Sequence, residues 1–430
     1  MSVKKQAISG VKWTTVSTIT LAVSALLKIS VLARFLDPSA FGLMAIITFV
    51  LGFMDLFMDM GITSAILHKQ DIKKEEYASL YWLNVMFSVL LFVLIVLLSP
   101  FIASFYSENE LLKLIPLAGV IIIFSALGRQ FKTILQKELQ FKLMAIVDIC
   151  SALLALIFAI ILAINDYGIY ALVYAALVQY GLNNILYLVI GIKHNPIVFH
   201  FNYQETKPFL KIGIYQVGGQ VVNYFNRDLD ILIIGKFFGT DILGGYSLAK
   251  QLVLRPTQIL NPIITKVASP VLAKFQRDII LLKDNYLKLL KIVSSLNTPI
   301  YLGLIVFAPF VIDILYGSNF LHITSLVRIL CIYMLIRAVG NPIGSLVIAT
   351  GRTDLEFFWN VLNLVIMPLS VIIGAQFSLE GVAISITIAM LVMLIPSWYF
   401  LVYKLTNASL KEYLNALIPS VMFLKKAKQL

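Results

Sequence analysis

Twelve apolar stretches, each long enough to cross a lipid bilayer, occupy most of the 430 residues of this chain. A bilayer crossing takes about 20 predominantly apolar residues, and the hydrocarbon interior requires every backbone amide to find a partner within the protein. Continuous apolar runs of this length predict helices rather than the shorter, alternating strands of a barrel. We therefore predict about twelve transmembrane helices, over residues 11–33, 40–61, 80–105, 111–133, 143–165, 168–192, 210–235, 242–264, 292–316, 322–349, 355–376 and 381–403.

The distribution of basic residues gives the net charge of +12 a topological meaning. Lys and Arg between the predicted spans cluster on the side of the N-terminus, whereas Arg34, Lys113 and Lys236 lie on the opposite side. Cytoplasmic loops of membrane proteins carry an excess of Lys and Arg. We therefore expect a multi-pass protein with both termini cytoplasmic, and we expect no nucleic-acid partner.

A polar stretch near the middle of the chain divides it into two halves. Residues 193–209 contain two prolines and are expected to form a cytoplasmic linker. The sequence then predicts an N-terminal six-helix lobe over 1–192 and a C-terminal six-helix lobe over 210–403. Residues 404–430 are expected to form a cytoplasmic tail or the start of a truncated further helix.

A short internal match suggests that the two halves arose by duplication. Residues 34–42 and 236–244 are related by an offset of 202, and each run has a cation, then Phe, a turn, and Gly at the next helix start. Transporters built from repeated halves bind their substrates at the repeat interface. We therefore expect a central cavity between the lobes.

The longest predicted cytoplasmic loop, 265–291, has an amphipathic pattern. Leu282, Tyr286 and Leu290 alternate at helical spacing with Lys283 and Lys288. This pattern predicts a helix that lies along the membrane interface.

The seventh predicted span carries a polar stripe. Gln216, Gln220, Asn223, Arg227 and Asp230 follow helical spacing and share one face, with Asp228 beside them. Polar side chains at membrane depth face a cavity or another helix rather than lipid. One interpretation is a water-filled lumen, and the other is an interhelical seam in which Arg227 pairs with Asp228 or Asp230.

Further cations interrupt other spans. Lys28 lies in the first span, Lys250 and Arg255 lie in the eighth, and Arg337 lies in the tenth, four residues after Tyr333. Lys250 either lines the lumen or extends toward the outer surface. Arg337 either lines a cavity or pairs internally.

Cations at depth outnumber carboxylates, which predicts a cationic central cavity and an anionic substrate. The planar fork of Arg matches the two oxygens of a phosphate group. The predicted substrate-binding residues are Lys28, Gln220, Asn223, Arg227, Lys250, Arg255 and Arg337. The predicted residues for ion coupling are Asp55, Asp228 and Asp230. Asp59, one turn after Asp55, is expected to be solvated or to cap the turn at Gly61.

The sequence lacks the patterns of several chemistries. There is no phosphate-binding G-x-x-x-x-G-K-[ST] loop, no G-x-S-x-G nucleophile turn and no His/Cys/carboxylate set at metal-ligand spacing. We therefore expect no enzyme, catalytic residue, cofactor or metal site.

An ordered set of short motifs extends over nearly the whole chain. It comprises Gly10, Trp13, 32–36, Pro38, 41–42, 59–61, Ala65, 136–139, 141–142, Asp230, 234–235, Gly244, Tyr246, 270–286, 316–317 and 351–352. In this set the chain resembles the polysaccharide transporter (Wzx-type) branch of the multidrug/oligosaccharidyl-lipid/polysaccharide (MOP) flippase superfamily, and is most similar to exporters of colanic-acid, teichuronic-acid and O-antigen repeat units.

The resemblance implies an all-α membrane protein with two six-helix lobes around a central cavity. It also implies a function: moving undecaprenyl-diphosphate-linked oligosaccharide from the inner to the outer leaflet of a bacterial plasma membrane. The expected partners are that lipid-linked oligosaccharide, membrane lipids, and a polysaccharide polymerase and co-polymerase. The alternatives are a small-molecule or drug antiporter of the same superfamily and a non-transporting scaffold of the polysaccharide assembly machinery.

Overall fold

The chain is all-α in every part that the structure describes. The computed structural model describes residues 3–59, 61–69 and 71–420, and these contain helices, turns and loops without a strand. The last ten residues of the predicted tail, 421–430, lie outside the described residues. The prediction of an all-α polytopic membrane protein is confirmed.

The helices follow one another with short connections. The first seven are α1 (Val3–Leu32), α2 (Pro38–Asp59), α3 (Ile62–His68), α4 (Lys74–Tyr106), α5 (Leu111–Lys137), α6 (Phe141–Ile164) and α7 (Ile169–His194). The next six are α8 (Tyr203–Lys274), α9 (Ile279–Tyr316), α10 (Thr324–Gly340), α11 (Pro342–Thr350), α12 (Thr353–Ala375) and α13 (Leu379–Ser397). The described chain closes with α14 (Lys404–Thr406) and α15 (Leu410–Leu417).

Eleven helical stretches among the described residues are long and apolar enough to span a membrane, one fewer than predicted. The difference arises in α8, where the predicted seventh and eighth spans form a single stretch of 45 residues, Val217–Asn261. Gly239 interrupts this stretch with a φ of 81° and a ψ of 179°, a conformation that glycine adopts without the steric cost of a Cβ.

The chain reverses direction across Gly239. In a straight helix, a rise of 1.5 Å per residue would place Asp230 and Lys250 about 30 Å apart. Their side chains instead meet, with Lys250 Nζ 2.7 Å from Asp230 Oδ1. The two arms of α8 therefore lie side by side where Asp230 and Lys250 meet.

The chain forms two compact units whose boundaries differ from the predicted lobes. Unit 1 comprises Met1–Tyr224 and Phe238–Gly244, and unit 2 comprises Phe225–Phe237 and Gly245–Leu430. The boundary lies within α8 rather than in 193–209. The described part of that stretch instead belongs to unit 1, where Trp82 of α4 donates a hydrogen bond to the carbonyl of Val198 and stacks on Phe199.

Small residues allow close helix packing within unit 1. In unit 1, α5 packs against α4 and α7, and α1 packs against α6. A Cβ on Gly128 of α5 would overlap the backbone of Asn184 in α7, so only a glycine permits this approach. Close backbone contact at small residues is the usual basis of helix association in membranes.

The two segments of the predicted internal repeat meet in a reciprocal contact. A Cβ on Gly42 would overlap the backbone of Thr240, and a Cβ on Gly244 would overlap the backbone of Pro38. Thr240 and Gly244 stand at the same 202-residue offset from Pro38 and Gly42. Each segment thus presents the same two positions to the other, as in an isologous contact.

The segment predicted to lie along the membrane interface does not do so. Residues 279–291 form the first turns of α9, and their apolar face is buried in unit 2. Leu282, Tyr286 and Leu290 are at most 2% exposed and pack against Tyr413 and Ala416 of α15. The amphipathic pattern was correct, but a neighbouring helix rather than the bilayer surface covers the apolar side.

Candidate functional site

Four of the predicted site residues line one cavity in unit 2. The cavity has a volume of about 530 Å³ including its open mouth, and both arms of α8 contribute to it together with α10, α12 and α13. The four predicted residues are Arg227, Asp230, Lys250 and Arg337. Asp228 is not among the lining residues, but it pairs with Arg227 and Lys250 of this wall. The reversal at Gly239 brings Lys250 of one predicted span to Asp228 and Asp230 of another.

Lys250 lies at the centre of this cluster. Its ammonium group is 2.7 Å from the carbonyl oxygen of Arg227, 3.2 Å from Asp228 Oδ1 and 2.7 Å from Asp230 Oδ1. A lysine ammonium has three N–H donors, and here three oxygens receive them. Its side chain is 13% exposed, so Lys250 points into the protein and the interpretation as a residue that reaches for the outer surface is wrong.

Both carboxylates of the cluster have a second partner. Arg227 Nε donates to Asp228 Oδ2 at 2.7 Å, which is one of the two pairings that the seam interpretation predicts. The Tyr246 hydroxyl donates to Asp230 Oδ2. Asp228 and Asp230 are 15% and 13% exposed, and pairing of this kind offsets part of the cost of burying a carboxylate.

Arg337 differs from the other cations of the cavity. Its Nη1 donates to the Tyr333 hydroxyl at 3.0 Å, and its Cζ lies 6.0 Å from the centroid of the Tyr333 ring. Among the described residues no ion pair includes Arg337, although Asp228 and Asp230 are within electrostatic range. Tyr333 therefore orients the guanidinium of Arg337. The guanidinium has no salt-bridge partner among the described residues, so it could bind a carboxylate or phosphate.

The cavity also offers a neutral acceptor. The Asn226 side-chain amide donates to the backbone carbonyl of Asn360 at 2.8 Å. Its Oδ1 is buried and has no hydrogen-bond partner among the described residues. With three cations, one carboxylate and this amide oxygen, the wall carries a net positive charge and a free acceptor for a hydroxyl or amide group.

The remaining predicted substrate-binding residues lie elsewhere. Lys28 Nζ donates to Gln179 Oε1 at 3.1 Å in unit 1. Gln220 and Asn223 are exposed in unit 1, and the side chain of Gln216 is outside the described part of the structure. Arg255 of unit 2 is not among the cavity-lining residues and its Nη1 is 3.4 Å from Gln258 Oε1.

Asp55, the remaining residue predicted for ion coupling, has a cation partner on α5. Asp55 accepts a hydrogen bond from Arg129 Nη2, and Asp59 Oδ1 lies 3.8 Å from Arg129 Nη1. Thr63 donates to the Asp59 carboxylate. The sequence analysis gave Arg129 no role, so this pairing between α2 and α5 was missed.

Sequence reasoning also missed the roles of several tyrosines and of Asp148. Asp148 Oδ1 accepts from Lys132 at 3.3 Å, Asn183 at 2.8 Å and Tyr187 at 2.8 Å, which joins α5, α6 and α7. The spacing of Tyr333 and Arg337 by one helical turn was the available signal for their contact. Tyr246 gave no such signal, because its partner Asp230 is on the other arm of α8.

Metal-ligand clusters do not occur in the described part of the chain. No group of three or more His, Cys, Asp or Glu there has an arrangement that could hold a metal ion. The free thiols of Cys150 and Cys331 lie on different helices, α6 and α10.

Comparisons with known proteins agree with this architecture. Lipopolysaccharide biosynthesis protein WzxC of Escherichia coli (strain K12) is 30% identical over 422 residues, covering 97% of this chain and 85% of that protein. Teichuronic acid biosynthesis protein TuaB of Bacillus subtilis (strain 168) is 31% identical over 375 residues, covering 87% and 78%.

A solved structure, lipid II flippase MurJ in an inward closed conformation, has a TM-score of 0.78 at 16% identity and covers 95% of this chain and 90% of that one. At that identity the likeness shows the fold alone. The family described as polysaccharide biosynthesis protein matches residues 31–325. These findings confirm the resemblance stated from the sequence, and the chain belongs to the polysaccharide biosynthesis protein family.

Proposed function

We propose that this protein is a flippase that moves a lipid-linked oligosaccharide with an anionic head group across the membrane. The cargo class is an undecaprenyl-diphosphate-linked repeat unit for surface polysaccharide, carried from the inner to the outer leaflet of a bacterial plasma membrane by alternating access. The names of the two relatives support polysaccharide biosynthesis. We infer a transporter rather than an enzyme.

The observation that carries the proposal is the cation-rich cavity of unit 2. Arg337 is held by Tyr333 on one side and has no carboxylate contact in the described structure. Such a guanidinium is suited to two oxygens of a phosphate or carboxylate. The free Oδ1 of Asn226 in the same wall is suited to a sugar hydroxyl or amide.

The two alternatives have less support from this cavity. A drug antiporter for organic cations would need a carboxylate-dominated wall, yet Asp228 and Asp230 are both already paired with cations. A scaffold that does not transport would tolerate loss of Arg337.

Three further points stay predictions. They are ion coupling through Asp55, Asp228 and Asp230, the cytoplasmic location of both termini, and contacts with a polymerase and a co-polymerase.

Complementation of a bacterial strain that lacks its repeat-unit flippase tests the proposal. Surface polymer and lipid-linked repeat units retained inside the cell are measured for wild type, Arg337→Ala and Arg337→Lys at matched protein abundance. Loss of one charge-assisted hydrogen-bond pair, worth about 1.5–3 kcal/mol, lowers an equilibrium about 10- to 100-fold. We therefore expect Arg337→Ala to retain repeat units and export about 10- to 100-fold less polymer, with Arg337→Lys intermediate.

Arg328→Ala is the matched control. Arg328 lies on the same helix, α10, but is exposed, outside the cavity lining, and bonded to the carbonyl of Ile305. Wild-type export in both Arg337→Ala and Arg328→Ala would remove the anion-site assignment. Equal loss in both would indicate a general defect of α10 instead.

A further inference from the structure

The contacts of Lys250 lead to an inference about which ions this site accepts. Arg227 O, Asp228 Oδ1 and Asp230 Oδ1 converge on one ammonium group at 2.7–3.2 Å. Two carboxylate oxygens and one backbone carbonyl oxygen are also the ligand types that a hard, unhydrated cation takes in proteins. The side chain of the protein itself thus occupies a position where oxygen ligands and negative charge are concentrated.

We propose that Lys250 is a tethered cation that fills this oxygen site and keeps free monovalent cations out of it. All three donors of Lys250 are used within the protein, so Lys250 balances Asp228 and Asp230 and is not a ligand of the cargo. Arg337, on the same cavity wall, is the cation that remains available to bind the anionic head group of the cargo. The assignment of Lys250 to substrate binding is thereby replaced by a role in ion selectivity. The same role keeps Na⁺ and K⁺ away from Asp228 and Asp230, so it also replaces the predicted coupling of these metal cations through the two carboxylates.

The charge balance of the cluster supports this role. With Lys250 present, three cations face two carboxylates, and a further free cation would add like charge at close range. Without Lys250, Arg227 would still neutralise Asp228 through the 2.7 Å pair to Oδ2. Asp230 would keep only two neutral donors, the Tyr246 hydroxyl and the backbone amide of Ile231, which leaves a largely buried carboxylate without a cation partner. A buried, unpaired carboxylate is costly, so a diffusible cation would be drawn to the vacated place.

The test is cation binding by purified protein in lipid nanodiscs. Unfolding temperature is followed while choline chloride is replaced by NaCl or by KCl at constant ionic strength, for wild type, Lys250→Met, Lys250→Arg and the double variant Lys250→Met/Asp230→Asn. We expect no saturable response in wild type and Lys250→Arg. We expect a saturable rise with Na⁺ or K⁺ in Lys250→Met that is lost in the double variant.

A second variant guards against poor folding of Lys250→Met. In Lys250→Ala, ethylammonium is small enough to enter the vacated space, and we expect it to raise the unfolding temperature saturably, with choline as the inactive larger cation. A saturable Na⁺ or K⁺ response of wild type that Asp230→Asn abolishes would overturn the proposal. So would the absence of any cation response in folded Lys250→Met together with no ethylammonium response in Lys250→Ala.

The proposal rests on the proposed function only in reserving Arg337 for an anionic cargo. Its readout is cation binding, which does not require transport. A flippase that fails the complementation test but shows the expected cation responses would retain the role of Lys250 and lose the cargo assignment. Successful complementation without the expected cation responses would instead retain the cargo assignment and overturn the role of Lys250.

Discussion

Units 1 and 2 both place charged side chains among apolar helices, but they use them differently. In unit 1, Asp148 collects a lysine, an amide and a tyrosine from neighbouring helices, and Arg129 joins Asp55 of α2 to α5. In unit 2, the charges surround a cavity, and Arg337 has no ion pair among the described residues. A charged side chain within a membrane protein therefore indicates ligand binding only when its contacts inside the protein leave some of its hydrogen-bonding groups available.

If the proposed function is correct, unit 1 is a packed scaffold and unit 2 carries the proposed anion site. Three changes test this difference between the units. They act on backbone packing in unit 1, on a partly buried ionic cluster in unit 1, and on partly exposed carboxylates in each unit.

The largest effect on stability is expected at the reciprocal glycine contact. A methyl group at Gly42 would overlap backbone atoms of Thr240, which cannot move aside as a flexible side chain would. Overpacking commonly costs about 1–3 kcal/mol and sometimes more, so we expect Gly42→Ala to cost about 3 kcal/mol or more of unfolding free energy. Unfolding in mixed detergent micelles measures this cost.

The same contact predicts that Gly42→Ala and Gly244→Ala do not add. Because both disturb one crossing, the double variant should cost clearly less than the sum of the single variants. Gly303→Ala in α9 is the control, since a Cβ there meets no atom within 4 Å. Additive costs, or an equal cost for Gly303→Ala, would show that the crossing is not a tight backbone contact.

A smaller effect is expected at Asp148. Asp148→Ala removes the acceptor of three hydrogen bonds and leaves Lys132, Asn183 and Tyr187 without it, which should cost about 1–3 kcal/mol. Polymer export per folded molecule should stay at the wild-type level, in contrast to Arg337→Ala. Loss of export at unchanged stability would show that Asp148 has a role in transport. Unit 1 would then not be only a scaffold.

The smallest effect is expected at two partly exposed carboxylates, Glu205 and Glu412, which lie outside the spans. In unit 2, hydrogen bonds from the Lys283 side chain and from Ser409 lower the pKa of Glu412 to about 2, below its ordinary 4.5. In unit 1, hydrogen bonds from Ser79 and His200 lower the pKa of Glu205. A lowered pKa means that each pair stabilises the fold fully above about pH 4.5 and loses that contribution as the pH falls through the folded pKa.

One tryptophan reports on the Lys283–Glu412 pair. Trp398 donates to the carbonyl of Ala408, which precedes the N-terminal residue Ser409 that caps α15. In single-tryptophan variants, emission should change between about pH 4.5 and 2 for Trp398, and Glu412→Gln should flatten that change. An unchanged acid profile in Glu412→Gln would show that the Lys283–Glu412 pair does not hold α15 in place.

The fold class could be read from the amino-acid sequence, because apolar runs too long and continuous for barrel strands can satisfy their backbone amides in a bilayer only as helices. The polar stripe of 216–230 likewise drew attention to Arg227 and Asp230, and both line the cavity of unit 2. Helical spacing placed Arg337 one turn after Tyr333. Motif order was sufficient to identify the family.

Which charged residues contact one another became known only from the three-dimensional structure. The reversal at Gly239 places Lys250 between Asp228 and Asp230, and no periodicity relates residues on opposite arms of a helix hairpin. Similarly, the apolar face of 279–291 had the pattern of a surface helix, and only the position of α15 showed that protein covers it. Local spacing determines which face of a helix is polar, but the partner of that face depends on contacts between residues far apart in the chain.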